Sequence, residues 1–330
     1  MDFTTRYKAD AIKDSTIFIT GGASGIGAAM AERCAELGAH VMIGDINATL
    51  GEALATKLRN SSGNPHHYFI ETDVSSFTSL SAAFTTALSL SPSNHIHHVI
   101  ANAGITDSTS LTELPPSPTA PCPPPPTSTL TINLLGVFFT TRLALHHFRL
   151  NHHTEDAHLL LVGSMASFLE SPPMMAQYTA SKHGVLGLFH SLRLSAGDQA
   201  PAQFRVNMLC PYFIDTPILP TKAKLLLAGV ELAKKEDAVD AVVRLCAVRA
   251  ARGRCVVVAP RSAGGVQEMD WEELKEIEPF TGRVVGLIRA GGTVRKAVRL
   301  VGDVGRLAGW MWVAGALAAM VMGMTVMAMR

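Results

Sequence analysis

Charged side chains are scarce in this 330-residue chain, at 17% of residues, and the two signs nearly cancel to a net charge of +1. No surplus of positive charge is left for a polyanion, so no nucleic-acid partner is expected. Cysteine is also sparse. Cys34, Cys122, Cys210, Cys246 and Cys255 stand far apart with no Cys-x-x-Cys pair. That excludes a disulfide scaffold and a zinc-finger site, and it suits a reducing, intracellular compartment. The histidine groups His95, His97, His98 and His146, His147, His152, His153 lack zinc-site spacing and a carboxylate partner. No metal is expected, and most of these side chains are expected at the surface. Residues 1–14 mix charged and apolar side chains, so no uninterrupted apolar segment marks a secretory signal.

What the chain does have is apolar mass, 48% of residues, arranged in alternating strand-like and helix-like segments. Strands are expected at Ser15–Thr20, His40–Gly44, His67–Glu71, His97–Ala101, Leu159–Val162, Arg205–Leu209 and Cys255–Val258. Helices are expected at Gly27–Leu37, Leu50–Arg59, Leu80–Leu90, Leu130–Leu145, Tyr178–Ser195 and Ala238–Val248. This alternation implies an α/β fold, a doubly wound parallel sheet of the Rossmann type, spanning residues 1–260. The proline-rich stretch Leu114–Ser128 interrupts it as a surface loop, a rigid connector or a polyproline ligand for an SH3-type partner.

After Pro260 the pattern changes. Residues 261–306 form a basic linker with Arg289, Arg295, Lys296, Arg299 and Arg306. Residues 307–329 carry no charge, contain Trp310 and Trp312, and are long enough for a membrane-spanning or membrane-associated helix. The alternative for this hydrophobic helical tail is a buried or subunit-contact helix.

Two sites carry chemistry. The first is Thr20-Gly21-Gly22-Ala23-Ser24-Gly25-Ile26-Gly27, between a strand and a helix. Glycines there let a pyrophosphate approach the backbone amides of a helix N-terminus. Asp45, ending the second strand, would accept bonds from the adenosine ribose and repel a 2′-phosphate, so NAD is expected over NADP. The second site is Tyr178-Thr179-Ala180-Ser181-Lys182, whose spacing stacks Tyr178 and Lys182 one helical turn apart. A nearby ammonium, helped by the charge of an oxidised nicotinamide, is expected to lower the phenol pKa from its usual value of about 10 into a working range.

Together and in this order, these signals resemble the short-chain dehydrogenase/reductase family, in the subgroup with a Thr-Gly-x-x-x-Gly-x-Gly turn. Ala101-Asn102-Ala103-Gly104 resembles its Asn-Asn-Ala-Gly segment, with Ala101 in place of the first asparagine. Asp73-Val74 resembles the pair that contacts the adenine. The resemblance makes Asn133 the asparagine that holds a water in the proton relay. It makes Ser164, rather than Ser167, the serine that binds the substrate oxygen. Pro211, Ile214 and Thr216 fall in the segment that touches the nicotinamide, with Tyr212 where glycine is usual. The resemblance covers residues 15–260, and its wording is similar to fungal 15-hydroxyprostaglandin dehydrogenase-like and secondary-metabolite dehydrogenases.

The function implied is NAD(P)-dependent interconversion of a hydrophobic secondary alcohol and its ketone, with Tyr178 as general acid and base. Ile218–Lys235 is the expected substrate-selecting lid, and a homodimer or tetramer is implied. An NADP-dependent ketoreductase and a catalytically idle, tail-anchored scaffold are the alternatives.

Overall fold

Five consecutive buried residues, Thr16–Thr20, form β1 in the interior of the sheet. Strands buried on both faces read as unbroken apolar runs, which is why β1 and β5 (His158–Val162) show no alternation. A computed structural model describes residues 7–107, 110–115, 117, 119, 121–151, 156–171, 173–195, 204–219, 224 and 227–269. The basic stretch 289–306 and the apolar run 307–329 lie outside these residues.

The other strands are β2 (His40–Asp45), β3 (Tyr68–Glu71), β4 (His98–Ala101), β6 (Arg205–Pro211), β7 (Cys255–Val258) and β8 (Val266–Glu268). Their order is β3-β2-β1-β4-β5-β6-β7-β8, parallel except for β8. The order reverses between β1 and β4, and in such sheets ligands bind outside the carboxyl ends of the strands at that point. The residues that follow these two ends are Gly21 and Asn102.

The helices are α1 (Gly25–Glu36), α2 (Ala48–Ser62), α3 (Phe77–Leu90), α4 (Ser128–Leu130), α5 (Gly136–His147), α6 (Ala176–Ser195) and α7 (Lys235–Ala247). Asn47 caps α2 by accepting the Leu50 N–H at 3.0 Å, and Ser76 caps α3 through Ser79. A π turn, Thr131–Leu135, joins α4 to α5 and carries Asn133. Among the described residues one helical stretch, Ser128–Leu150, is long and apolar enough to cross a membrane by length and composition. Its Val137, Leu143, Ala144 and Phe148 are buried in the core between the sheet and α3.

Two expectations need correction. The sheet runs past Pro260: Gly264 and Gly265, at φ +96° and +67°, reverse the chain so that β8 pairs antiparallel with β7. A strand of three residues is too short to announce itself by periodicity.

The second correction concerns histidine. His95, His97, His98 and His147 are buried, as are His67 and His158. Two of these rings serve the backbone: His97 Nδ1 accepts the Thr16 N–H at 2.9 Å and His67 Nδ1 accepts the Val41 N–H at 3.2 Å. Burial pulls the His98 pKa from 6.5 to about 3 and the His67 pKa to about 4. Folded pKa values below the unfolded 6.5 mean that the unfolded chain binds the extra protons. Stability is therefore expected to be constant with respect to these groups above pH 6.5 and to fall from there toward pH 3. Urea midpoints across that range would check this, and a flat profile would contradict it.

Candidate active site and cofactor cleft

The turn after β1 approaches neighbouring backbone closely. Gly21 has φ +64°, and a Cβ there would sit 2.7 Å from Ala103 Cα; a Cβ on Gly27 would sit 2.1 Å from the Gly21 carbonyl oxygen. Only glycine fits at these positions. The N-cap of α1, Ser24, makes no capping bond with its side chain, so the first-turn amides of α1 remain suited to an anion.

These residues open onto a cleft. Gly21, Ser24, Gly25, Ile26 and Gly27 line it from the turn, Asp45, Asp73 and Val74 from β2 and the loop after β3, and Thr216 from the loop after β6. Asn102, Ala103 and Gly104 line it from the end of β4. Pro217 of the nicotinamide segment and Ile218 of the expected lid are in the lining too, together with four residues that sequence reasoning missed, Ile46, Thr72, Ile105 and Ile132. These four belong to no motif and reach the cleft only because their neighbours do.

Asp45 does more than face the cleft. Its Oδ2 accepts the Ala23 N–H and its Oδ1 the Asn47 N–H, each at 3.0 Å, tying the glycine turn to the end of β2. No lysine or arginine is among the described residues that line the cleft.

Ser164, Tyr178 and Lys182 do not line that cleft; they form a neighbouring cluster. The Tyr178 hydroxyl is hydrogen-bonded to Ser164. Ser167 instead is fully buried and accepts the Ser164 N–H at 3.3 Å, completing a capping box in which Ser164 Oγ accepts the Ala166 N–H. Lys182 Nζ donates to the Val162 carbonyl at 2.9 Å and lies 5.6 Å from the centre of the Tyr178 ring.

Here the protein by itself does not meet the electrostatic expectation. Lys182 does not draw the phenol down in the protein alone: burial raises the Tyr178 pKa, with the Ser164 hydrogen bond working against it. Burial likewise pulls Lys182 down to about 8. Desolvation penalises each charged form, and it outweighs a cation directed at a carbonyl rather than at the phenol oxygen. Cys210, at the end of β6, is a further neighbour that sequence reasoning missed; burial pushes its thiol up, and it is electrostatically linked to Lys182.

Asn133 is fully buried, and both polar atoms of its side chain are bonded to Ile105. Oδ1 accepts the Ile105 N–H and Nδ2 donates to its carbonyl, each at 2.8 Å. Of the two remaining cofactor residues, Pro211 ends β6 and Ile214 bridges to Ala233; neither lines the cleft. Tyr212 packs edge-on against Phe213, with ring centres 4.8 Å apart. In the expected lid, residues 220–223 and 225–226 lie outside the described set, and Leu227 is buried.

One metal-like grouping exists among the described residues: ligand atoms of His98, His158 and Cys246 lie within 4.8 Å of one another. The hydrogen bonds around it argue for a structural role. Asn207 Nδ2 donates to the Ala251 carbonyl at 2.8 Å while Oδ1 accepts the Arg254 N–H at 2.9 Å, which fixes the amide. Its second N–H then faces His158 Nε2 at 3.0 Å, so the proton of His158 sits on Nδ1, the atom 3.4 Å from His98 Nδ1. A protonated nitrogen is a donor and offers no lone pair to a metal.

Comparison with known proteins agrees with this geometry. Residues 15–225 match the short chain dehydrogenase family. The chain is 34% identical over 268 residues to 5'-hydroxyaverantin dehydrogenase of Dothistroma septosporum, covering 76% of this chain and 85% of that protein. It is 32% identical over 277 residues to NADP-dependent dehydrogenase M3 of a Phoma species, covering 78% and 79%. A 3-ketoacyl-(acyl-carrier-protein) reductase from Brucella melitensis, solved with NADH, superposes with a TM-score of 0.63 at 27% identity over 75% of this chain and 97% of that one. With its glycine turn, cleft and Ser-Tyr-Lys cluster in place, the chain belongs to the short-chain dehydrogenase family and is an NAD(P)-dependent oxidoreductase acting on CH–OH groups.

Proposed function

We propose that the protein is an NAD-linked dehydrogenase of hydrophobic secondary alcohols, serving secondary metabolism, with Tyr178 as its proton-transfer group. The observation that carries the proton-transfer reading is the hydrogen bond between Tyr178 and Ser164 on one side of the buried Lys182. The dinucleotide fits the cleft because the turn leaves no room for a Cβ on Gly21 or Gly27. When bound, the nicotinamide supplies the hydride acceptor for oxidation or the donor for reduction.

The protein's own groups handle the proton and the oxygen. Tyr178 takes the hydroxyl proton in oxidation and returns it in reduction, with Ser164 holding the same oxygen as negative charge develops. Lys182, buried and cationic, opposes the rise in the Tyr178 pKa once the positive nicotinamide ring joins it, and it binds the nicotinamide ribose. Since the Asn133 side chain is committed to Ile105, its part in the proton relay falls to the backbone of the π turn. Self-association through α5 and α6 belongs to the same reading. Leu135 and Phe138, in the π turn and α5, stand 47% and 45% exposed, as an unpaired apolar face would.

NAD is favoured because a 2′-phosphate beside Asp45 would meet a carboxylate and, among the described residues that line the cleft, no cation. The Phoma relative's NADP dependence favours the opposite choice, and one experiment separates them. Full-length protein is incubated with a panel of hydrophobic secondary alcohols, cyclic and polycyclic, and nicotinamide absorbance is followed with NAD and with NADP. Turnover at least about 10-fold faster with NAD is expected, and Asp45→Ser should erase most of that preference. A preference for NADP would overturn the Asp45 argument; absence of turnover with both would overturn the substrate class.

A further inference from the structure

The first turn of α6 leaves backbone N–H groups without helical partners, and Met175, just before it, has no side-chain oxygen to cap them. The cap comes from far away in sequence. Asp107, in the loop after β4, accepts the Gln177 N–H through Oδ2 and the Tyr178 N–H through Oδ1, each at 2.9 Å.

We infer that Asp107 is a positioning residue, capping the helix of Tyr178 in trans and so setting Tyr178 against the cofactor cleft. The inference rests on the proton-transfer role proposed above for Tyr178.

Its force comes from the loop to which Asp107 belongs. At one end of that loop, Asn102 Nδ2 donates to the Thr20 and Gly21 carbonyls at 3.0 and 2.9 Å, which ties the loop to the glycine turn. In the middle, Ile105 is held at both its N–H and its carbonyl by Asn133 of the π turn. At the other end, Asp107 grips the N–H of Tyr178 itself. One short segment therefore links the cofactor turn, the π turn and the proton-transfer helix. A helix released from such a link shifts by fractions of an ångström, and misplacement of about 1 Å can cost about 100-fold in rate. A negative carboxylate at a helix N-terminus is also the favourable electrostatic choice.

The test compares wild type, Asp107→Ala, Asp107→Asn and Tyr178→Phe with NAD and the fastest alcohol of the panel. Asp107→Ala is expected to lower kcat about 10- to 100-fold while NADH affinity, read by nicotinamide fluorescence, stays within about 2-fold. Amide hydrogen exchange over residues 176–180 should accelerate in the same variant. Asp107→Asn keeps one acceptor oxygen and should recover most of the lost kcat. An alanine variant with wild-type kcat, an asparagine variant no better than alanine, or equal losses in kcat and NADH affinity would each overturn the inference. If Tyr178→Phe keeps wild-type turnover, the reading of Tyr178 falls and this inference with it. If Tyr178→Phe is dead while Asp107→Ala is fully active, only the inference falls.

Discussion

Tyr178→Phe is expected to lower turnover about 1,000-fold in both directions, within the range that positioned proton transfer supplies. The substitution removes one oxygen and keeps the ring, so packing of α6 and the 5.6 Å approach of Lys182 to the ring survive. What disappears is the group that exchanges a proton with the substrate and the hydroxyl bonded to Ser164. NAD affinity should change little, because the glycine turn and the Asn102–Gly104 segment remain intact. The pH profile offers a second check. Burial raises the wild-type phenol, so oxidation should accelerate with rising pH as the phenolate is gained, and that limb should vanish in the variant. Steady-state rates and cofactor titration on one preparation decide the matter; a variant within about 10-fold of wild type would refute the assignment.

Asp156→Ala should destabilise the fold by about 3–5 kcal/mol, the usual cost of leaving a buried charge without its partner. The Arg205 side chain is fully buried. Its Nε and Nη2 reach the two Asp156 oxygens at 2.8 and 2.5 Å, and Nη2 also donates to the Cys246 carbonyl at 2.6 Å. Nη1 is bonded to the Leu245 carbonyl. Burial alone would push the Asp156 carboxyl up, yet its bond with Arg205 and the surrounding positive charge hold it below its ordinary value. Removing the carboxylate leaves a guanidinium among carbonyls at the end of α7, which solvate it only in part. Urea denaturation at neutral pH measures the loss. The double variant Asp156→Ala, Arg205→Met should recover part of it, because no unpaired charge then remains. A single variant as stable as wild type would show that the carbonyls suffice.

The parallel architecture was legible because its signals are local. β1 and β5 are short runs of mostly apolar residues, and the glycine turn falls between β1 and α1. The turn, Asp45 and Asn102 could be assigned to one cleft because each directly follows or ends a strand, and parallel strands bring those ends together. The Tyr178–Lys182 pairing needed only the helical repeat.

Other features depend on groups distant in sequence. That His98 and His158 are buried follows from β4 pairing with β5 in register, which no local pattern encodes. That Ser164 meets Tyr178 while the Ser167 hydroxyl is spent on the Ser164 N–H is visible only in the folded chain. The sign of the Tyr178 pKa shift was decided by burial, a property of the whole packed interior, and Asp107 acquired its place only when a loop met a helix from another part of the chain. Hydrophobic period and glycine placement act over a few residues and are written in the sequence. Desolvation and long-range hydrogen bonds exist only after the chain has closed around them, so the tertiary structure alone decides them.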